Sequence, residues 1–166
     1  MLPAYVPNSA AAALGGGIPI DCNRTWRDGR RILGDGKTIR GFLGGVAIGC
    51  IVGMLQIMMQ GISPFSLLPV LTPLPIILLA SGALVGDMVK SFFKRRAGIE
   101  RGGAWPLVDQ YDFVAGALLF LLAGDPAFVH TNITIPIVIV ILVITPVLHR
   151  VVNIIGYKIG VKDVPW

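Results

Sequence analysis

The chain has 166 residues, 54% of them hydrophobic and 14% charged, with a formal net charge of +5 and a mean hydropathy of +0.77. That balance excludes an ordinary soluble domain and places the chain in a bilayer. The length suits one integral-membrane domain over residues 1–166, built from several helices of about 20 residues. Two cysteines, Cys22 and Cys50, without CxxC spacing, argue against a disulfide framework or a thiolate metal site.

In chain order, the apolar runs read as an all-α polytopic protein with five transmembrane helices, at about 2–20, 41–60, 65–86, 110–124 and 132–156. The first is rich in Ala and Gly and follows no basic segment, so it reads as a retained helix packed inside the bundle rather than a cleaved signal. The second and third are plainer, although Pro69, Pro73 and Pro75 make the entrance to the third irregular. The fourth has about twelve uncharged residues between Asp112 and Asp125, a rise of about 18 Å, short of a hydrocarbon core of about 30 Å. It must therefore start at buried carboxylates or cross a thinned region.

All fourteen Lys and Arg residues fall in three places. Six lie at Arg24 to Arg40, five at Lys90 to Arg101, and three (Arg150, Lys158 and Lys162) at or after the end of the fifth run. Five crossings put every one of them on the cytoplasmic side, with the N-terminus outside and the C-terminus inside. The basic balance is thus explained by topology and by an anionic substrate, and nucleic acid is not expected as a partner.

Two cytoplasmic loops, about 21–40 and 87–109, carry the chemistry. GDGKTIRG at 34–41 resembles half of a nucleotide-binding loop, but a Walker motif needs glycine where Arg31 stands. What remains can still surround phosphate oxygens. Gly34 and Gly36 allow a tight turn, Lys37 supplies a point charge, Thr38 a hydroxyl and Arg40 a forked donor, while Asp35 can orient a cation. Arg27, Arg30 and Arg31 precede this turn and extend the phosphate-binding surface. The plainer alternative is a glycine turn with ordinary positive-inside residues.

In the second loop Asp87 ends an apolar helix, and Lys90, Ser91, Lys94 and Arg95 follow at three, four, seven and eight residues, which gathers them on one helical face. Asp109 and Asp112 are three apart and share a face at the start of the fourth run. Three carboxylates at membrane entrances need partners. Asp87, Asp109 and Asp112 can hold Mg²⁺ against substrate phosphates; ion pairing with the basic cluster is the alternative. Lys37, Lys90, Lys94 and Arg95 would then compensate phosphate charge. His130 falls on the outer side, and His149, beside Arg150, reads as an interfacial or packing residue.

The segments WRDGRR at 26–31, LGDGKTIRG at 33–41, GDMVKSFFKRRAG at 86–98 and PLVDQYD at 106–112 together resemble the archaeal CDP-archaeol synthases over nearly the whole chain. More distantly, Ser91, Lys94, Arg95, Pro106, Asp109 and Asp112 are similar to the signature of CDP-diacylglycerol synthases. The histidine-bearing glycine run of that signature is missing, and Gln110 stands where its arginine would be. The resemblance implies Mg²⁺-dependent transfer of a cytidylyl group from CTP to an isoprenoid diether glycerol phosphate, 2,3-bis-(O-geranylgeranyl)-sn-glycerol 1-phosphate. The products would be the CDP-linked lipid and pyrophosphate, and the place a multi-pass enzyme of the cell membrane in contact with membrane lipids. Two other classes fit less well. A channel would place polar groups through the hydrocarbon region, and the DGxxAR signature of CDP-alcohol phosphotransferases is not met after Asp28-Gly29.

Overall fold

The computed structural model describes residues 1–62, 69–100 and 102–160; the first residues of the expected third run, Arg101 and Lys162 lie outside them. Within the described residues seven helices follow in order: α1 (Leu2–Tyr5), α2 (Pro7–Leu14), α3 (Ile39–Met59), α4 (Pro73–Arg96), α5 (Val108–Gly124), α6 (Pro126–Asn132) and α7 (Ile135–Lys158). Among the described residues there is no strand, only isolated bridges at Pro19–Thr38 and Thr25–Arg31.

Helices α3, α4 and α7 are each long and apolar enough to cross a membrane. Helices α5 and α6 qualify only as a pair, bent by 116°. Asp125 sits at the bend, and its carboxylate accepts from Phe128 N–H at 3.0 Å to cap α6. This is a multi-pass membrane protein, with three such spans among the described residues, or four counting the bent pair. The 2–20 segment differs from a simple crossing. It breaks into α1 and α2, whose Pro3, Pro7 and Ala11 pack along α3 between Gly49 and Gly41. Gly49 is ten residues into α3, about 15 Å along its axis, so α1–α2 reaches about half the depth of a hydrocarbon core.

Glycines determine how closely the helices approach. Gly41, Gly45, Gly49 and Gly53 recur every fourth residue on the buried face of α3. A Cβ at Gly45 would stand 2.7 Å from the Pro7 carbonyl oxygen, and one at Gly49 2.8 Å from Ala80 Cβ. On the other side, Gly82 and Gly86 of α4 meet Gly116 of α5, where a Cβ would lie 2.6 Å from Gly86 Cα. Small residues let backbones touch where lipid supplies no hydrophobic drive for helix association. Beside this contact Leu79, Ala83, Phe113, Val114, Ala117 and Leu121 form a buried core, with Ala4 from α1 and Ile141 from α7.

Pro146 lies inside α7 and has no N–H for the carbonyl four residues earlier. That carbonyl, Leu142, instead accepts from the Tyr111 hydroxyl of α5 at 2.7 Å, a cross-helix repair of the kind a membrane interior requires.

Candidate functional site

The first loop is organised by Asp21, a residue the sequence pattern did not single out. Its carboxylate accepts from the N–H groups of Asn23 (3.2 Å), Leu33 (3.0 Å) and Gly34 (3.0 Å), and from Arg31 Nη2 (2.8 Å) and Nε (3.3 Å). Burial would raise its pKa, but the Arg31 guanidinium and the three backbone donors hold it well below the usual carboxylate range. Arg31 also pairs with Asp35 at 2.7 Å. These bonds shape the 31–36 turn, and Lys37 N–H donates back to the Gly34 carbonyl at 3.2 Å to continue it. The Thr38 hydroxyl accepts from Gly41 N–H at 3.1 Å, capping α3.

Loop one is tied to the end of α4 by a reciprocal arginine pair. Arg30 Nη1 donates to the last α4 carbonyls, Arg95 (3.0 Å) and Arg96 (2.7 Å), a favourable place for a cation. Arg96 Nη2 donates to the carbonyls of Arg30 (3.2 Å) and Arg31 (2.6 Å), and its Nε pairs with Asp28 at 2.7 Å. The same guanidinium lies 4.6 Å from the centre of the Phe92 ring, and Trp26 packs edge-on against that ring.

Lys90 stands at the centre of the site. Its ammonium lies 2.9 Å from Asp87, 3.2 Å from Asp109 and 2.8 Å from Asp112. Lys37 pairs with the other oxygen of Asp87, and Lys94 pairs with Asp109 at 2.7 Å while donating to the Gly103 carbonyl at 2.7 Å. Three carboxylates from two helices thus face three ammonium groups. The side chains of Lys90 and Asp112 are only 13% and 4% exposed, so removing one partner strands a buried charge. Helix spacing places Asp87, Lys90 and Lys94 on one face of α4, and the Gly86–Gly116 contact brings that face against Asp109 and Asp112 of α5.

The entry to α5 is held by a tight turn. Leu107 has φ 66° and ψ −52°, and Val108 N–H donates to the Pro106 carbonyl at 2.8 Å, a strained γ-turn. Two residues on, Asp109 accepts from Trp105 N–H at 2.6 Å.

Two cavities meet at this cluster. One, about 590 Å³, is rich in basic side chains, with Arg30, Arg31, Gly34, Asp35, Gly36, Ser91 and Arg95 among its walls. The other, about 460 Å³, is lined by Leu2, Tyr5, Val6, Phe113, Leu148 and Val152, together with Asp109 and Asp112. Lys37, Asp87, Lys90, Lys94 and Gly102 line both. Arg27 and Arg40 are exposed and line neither. The Ser91 hydroxyl donates to the Asp87 carbonyl at 2.9 Å. Arg95 Nε is buried without a hydrogen-bond partner among the described residues.

Ion pairing, the alternative to metal binding, is the arrangement the structure displays. Among the described residues no three acidic, His or Cys side chains are grouped for a metal ion. Asp87, Asp109 and Asp112 nevertheless converge on one cationic atom, and their hard oxygens suit Mg²⁺ in charge and ligand type. Lys90 occupies the point of that convergence.

The family model described as CarS-like CDP-archaeol synthase matches residues 1–166. Proteins named CDP-archaeol synthase from Methanosphaerula palustris and Methanospirillum hungatei are each 62% identical, with all of this chain and all of the relative covered. A solved structure described as an intramembrane enzyme for archaeal membrane lipids biosynthesis superposes with a TM-score of 0.67 at 35% identity, covering 98% of this chain and 90% of that one. A full-length family match, relatives sharing well over half their residues and a matching helical architecture establish that the chain belongs to the CDP-archaeol synthase family of enzymes.

Proposed function

We propose that the protein transfers a cytidylyl group from CTP to 2,3-bis-(O-geranylgeranyl)-sn-glycerol 1-phosphate, releasing pyrophosphate and forming the CDP-linked unsaturated diether lipid at the cell membrane. One observation carries this reading: a cavity rich in basic side chains and a mostly apolar cavity share Lys37, Asp87, Lys90 and Lys94. A polyphosphate fits the first and a lipid phosphate the second, so their phosphates meet at the shared residues.

The lipid phosphate is already an anionic nucleophile and needs no general base of the serine-hydrolase kind. One of its oxygens attacks the α-phosphorus of CTP, and the bond between that phosphorus and the oxygen bridging to the β-phosphate breaks. Lys37 and Lys94 exchange carboxylate partners for phosphate oxygens, and Arg95, with its unpartnered Nε, neutralises the departing pyrophosphate. Lys90 moves from its three carboxylates toward phosphate. Asp87, Asp109 and Asp112 would hold Mg²⁺, which supplies Lewis-acid neutralisation of the triphosphate. Asp21 and Arg31 set the shape of the turn that presents Lys37.

The 21–38 loop, and the end of α4 with the loop after it, are assigned to the cytoplasm by the basic residues Arg24 to Lys37 and Lys90 to Arg101, where CTP is available. Five crossings with the N-terminus outside would need α1–α2 to complete a span, so that part of the topology rests on charge placement alone. Incubation of purified protein with labelled CTP and diether or diacyl glycerol phosphate, with and without Mg²⁺, followed by lipid extraction, tests the reaction. Label in the lipid phase only when lipid phosphate and Mg²⁺ are both present is the expected result; its absence under all conditions defeats the reading.

A further inference from the structure

Arg40 belongs to the GDGKTIRG stretch, yet it lines neither cavity of the carboxylate cluster. It borders instead a third, open groove of about 590 Å³, formed by Leu14 and Ile18 from the segment around the end of α2 and by Ile39, Leu43 and Gly44 of α3. Among the described residues Arg40 is the one polar side chain in that lining. No part of the protein covers the groove, since Ile18 is 64% and Leu43 62% exposed.

The groove has the polarity profile of a lipid. Helix α3 has 21 residues and rises about 31 Å, close to the thickness of a hydrocarbon core of about 30 Å. Arg40, its second residue, therefore stands at headgroup level, and Leu43 and Gly44, about 5 to 6 Å further along the axis, lie in hydrocarbon. Arg40 also lacks a counter-ion. It sits at the positive end of α3, whose first turn holds no acidic side chain, and the loop-one carboxylates Asp21, Asp28 and Asp35 are taken by Arg31 and Arg96. An anion with an apolar chain below it complements both parts of the groove.

The wall of the groove is tied to the backbone around Lys37. Ile39 N–H donates to the Ile18 carbonyl at 3.1 Å, and Ile20 N–H donates to the Lys37 carbonyl at 2.8 Å. A chain lying against Ile18 and Ile39 thus presses on the pairing that holds Lys37 in place.

We propose that this groove binds one anionic phospholipid of the surrounding membrane, with its phosphate on Arg40 and a chain along Ile18, Leu43 and Gly44, and that this lipid steadies the backbone at Lys37. The site is separate from the two cavities of the cluster and stands or falls independently of the cytidylyl-transfer reading.

Full-length protein in nanodiscs of phosphatidylcholine, with and without phosphatidylglycerol, tests the site by native mass spectrometry of retained lipid and by amide exchange. Wild type should retain phosphatidylglycerol about five- to tenfold more strongly than phosphatidylcholine. Exchange of the Ile20 and Ile39 amides should slow when phosphatidylglycerol is present. Arg40→Gln should abolish both effects while keeping the wild-type thermal midpoint in phosphatidylcholine. Ile18→Glu, which gives Arg40 a carboxylate within the groove, should abolish them too, so the test survives misfolding of either variant. Lys158→Gln removes an exposed basic residue at the end of α7 and should leave both effects intact. Equal retention of the two lipids by wild type, or a preference unchanged in Arg40→Gln and Ile18→Glu, overturns the proposal. A loss in Lys158→Gln as large as that in Arg40→Gln also overturns it, because the preference is then bulk attraction of basic residues for anionic lipid. Displacement of phosphatidylglycerol by soluble glycerol phosphate does the same, because the groove then recognises no chain.

Discussion

Replacing Asp21 by Asn tests whether the first loop is built around one carboxylate. The change preserves size but leaves one acceptor oxygen where two serve five hydrogen bonds. If the amide nitrogen takes the Oδ2 position, it confronts the N–H groups of Leu33 and Gly34 and Arg31 Nε. If it takes the Oδ1 position, it confronts Asn23 N–H and Arg31 Nη2. Either way donors face a donor, and Arg31 loses a partner whose side chain is fully buried. Breaking a buried ion pair from one side costs about 3–5 kcal/mol. Arg31 is itself 27% exposed, so water recovers part of that and about 3 kcal/mol is the figure to expect, roughly a hundredfold in the local opening equilibrium. Amide exchange of Leu33 and Gly34 in detergent micelles should therefore quicken by about two orders of magnitude. Because Gly34 anchors the turn before Lys37, kcat/KM for CTP should fall as well. The pH dependence has a defined sign. The folded carboxyl titrates below its unfolded value, so its contribution is complete above about pH 4; it is lost as pH falls through the lower, folded value. Unchanged protection at Leu33 and Gly34 in the Asn variant would refute the hub.

Asp109→Asn and Asp112→Asn should each lower turnover by orders of magnitude, with no relief from added CTP and partial relief from Mg²⁺, whereas Lys37→Ala should raise the apparent KM for phosphate substrates and recover in part at saturation; near wild-type turnover in all three at subsaturating CTP and Mg²⁺ would remove the cluster from the reaction. Gly86→Ala should separate α4 from α5, because its Cβ would collide with the Asp112 backbone; a stability loss of about 1–3 kcal/mol and a fall in kcat should appear together, read by thermal melting and turnover. Saturating the geranylgeranyl chains should change rate only modestly, because the Leu, Val and Phe walls of the apolar cavity read tails by shape; complete loss on the saturated diether phosphate at equal incorporation would show strict reading of unsaturation. Cysteines at positions 28 and 98, with Cys22 and Cys50 replaced, should label from the cytoplasmic side of sealed membranes, and labelling of position 98 from outside would separate the two loops.

What could be read from the chain without its fold were one-dimensional signals. Apolar runs long enough to cross hydrocarbon identify α3, α4 and α7, because hydrophobic length is a local property. Helical periodicity alone places Asp87, Lys90 and Lys94 on one face and Asp109 with Asp112 on another. The residue types and spacings of GDGKTIRG and PLVDQYD carry the family resemblance for the same reason. Tertiary structure decided what those groups face. Lys90 sits among three carboxylates because glycines allow α4 and α5 to touch, and no pattern within either helix states that distance. Asp21 is an ordinary loop aspartate in sequence; its importance comes from donors ten to thirteen residues away that fold back onto it. The alanine-rich 2–20 run has the length of a span, but Pro7 and the glycines of α3 make it two short helices reaching partway into the bundle. His149 reads from the sequence as an interfacial or packing residue beside Arg150, and only the fold stacks its ring on Phe113 at the wall of the apolar cavity. Which groups share a cavity depends on contacts between segments far apart in the chain, and only the folded bundle contains them.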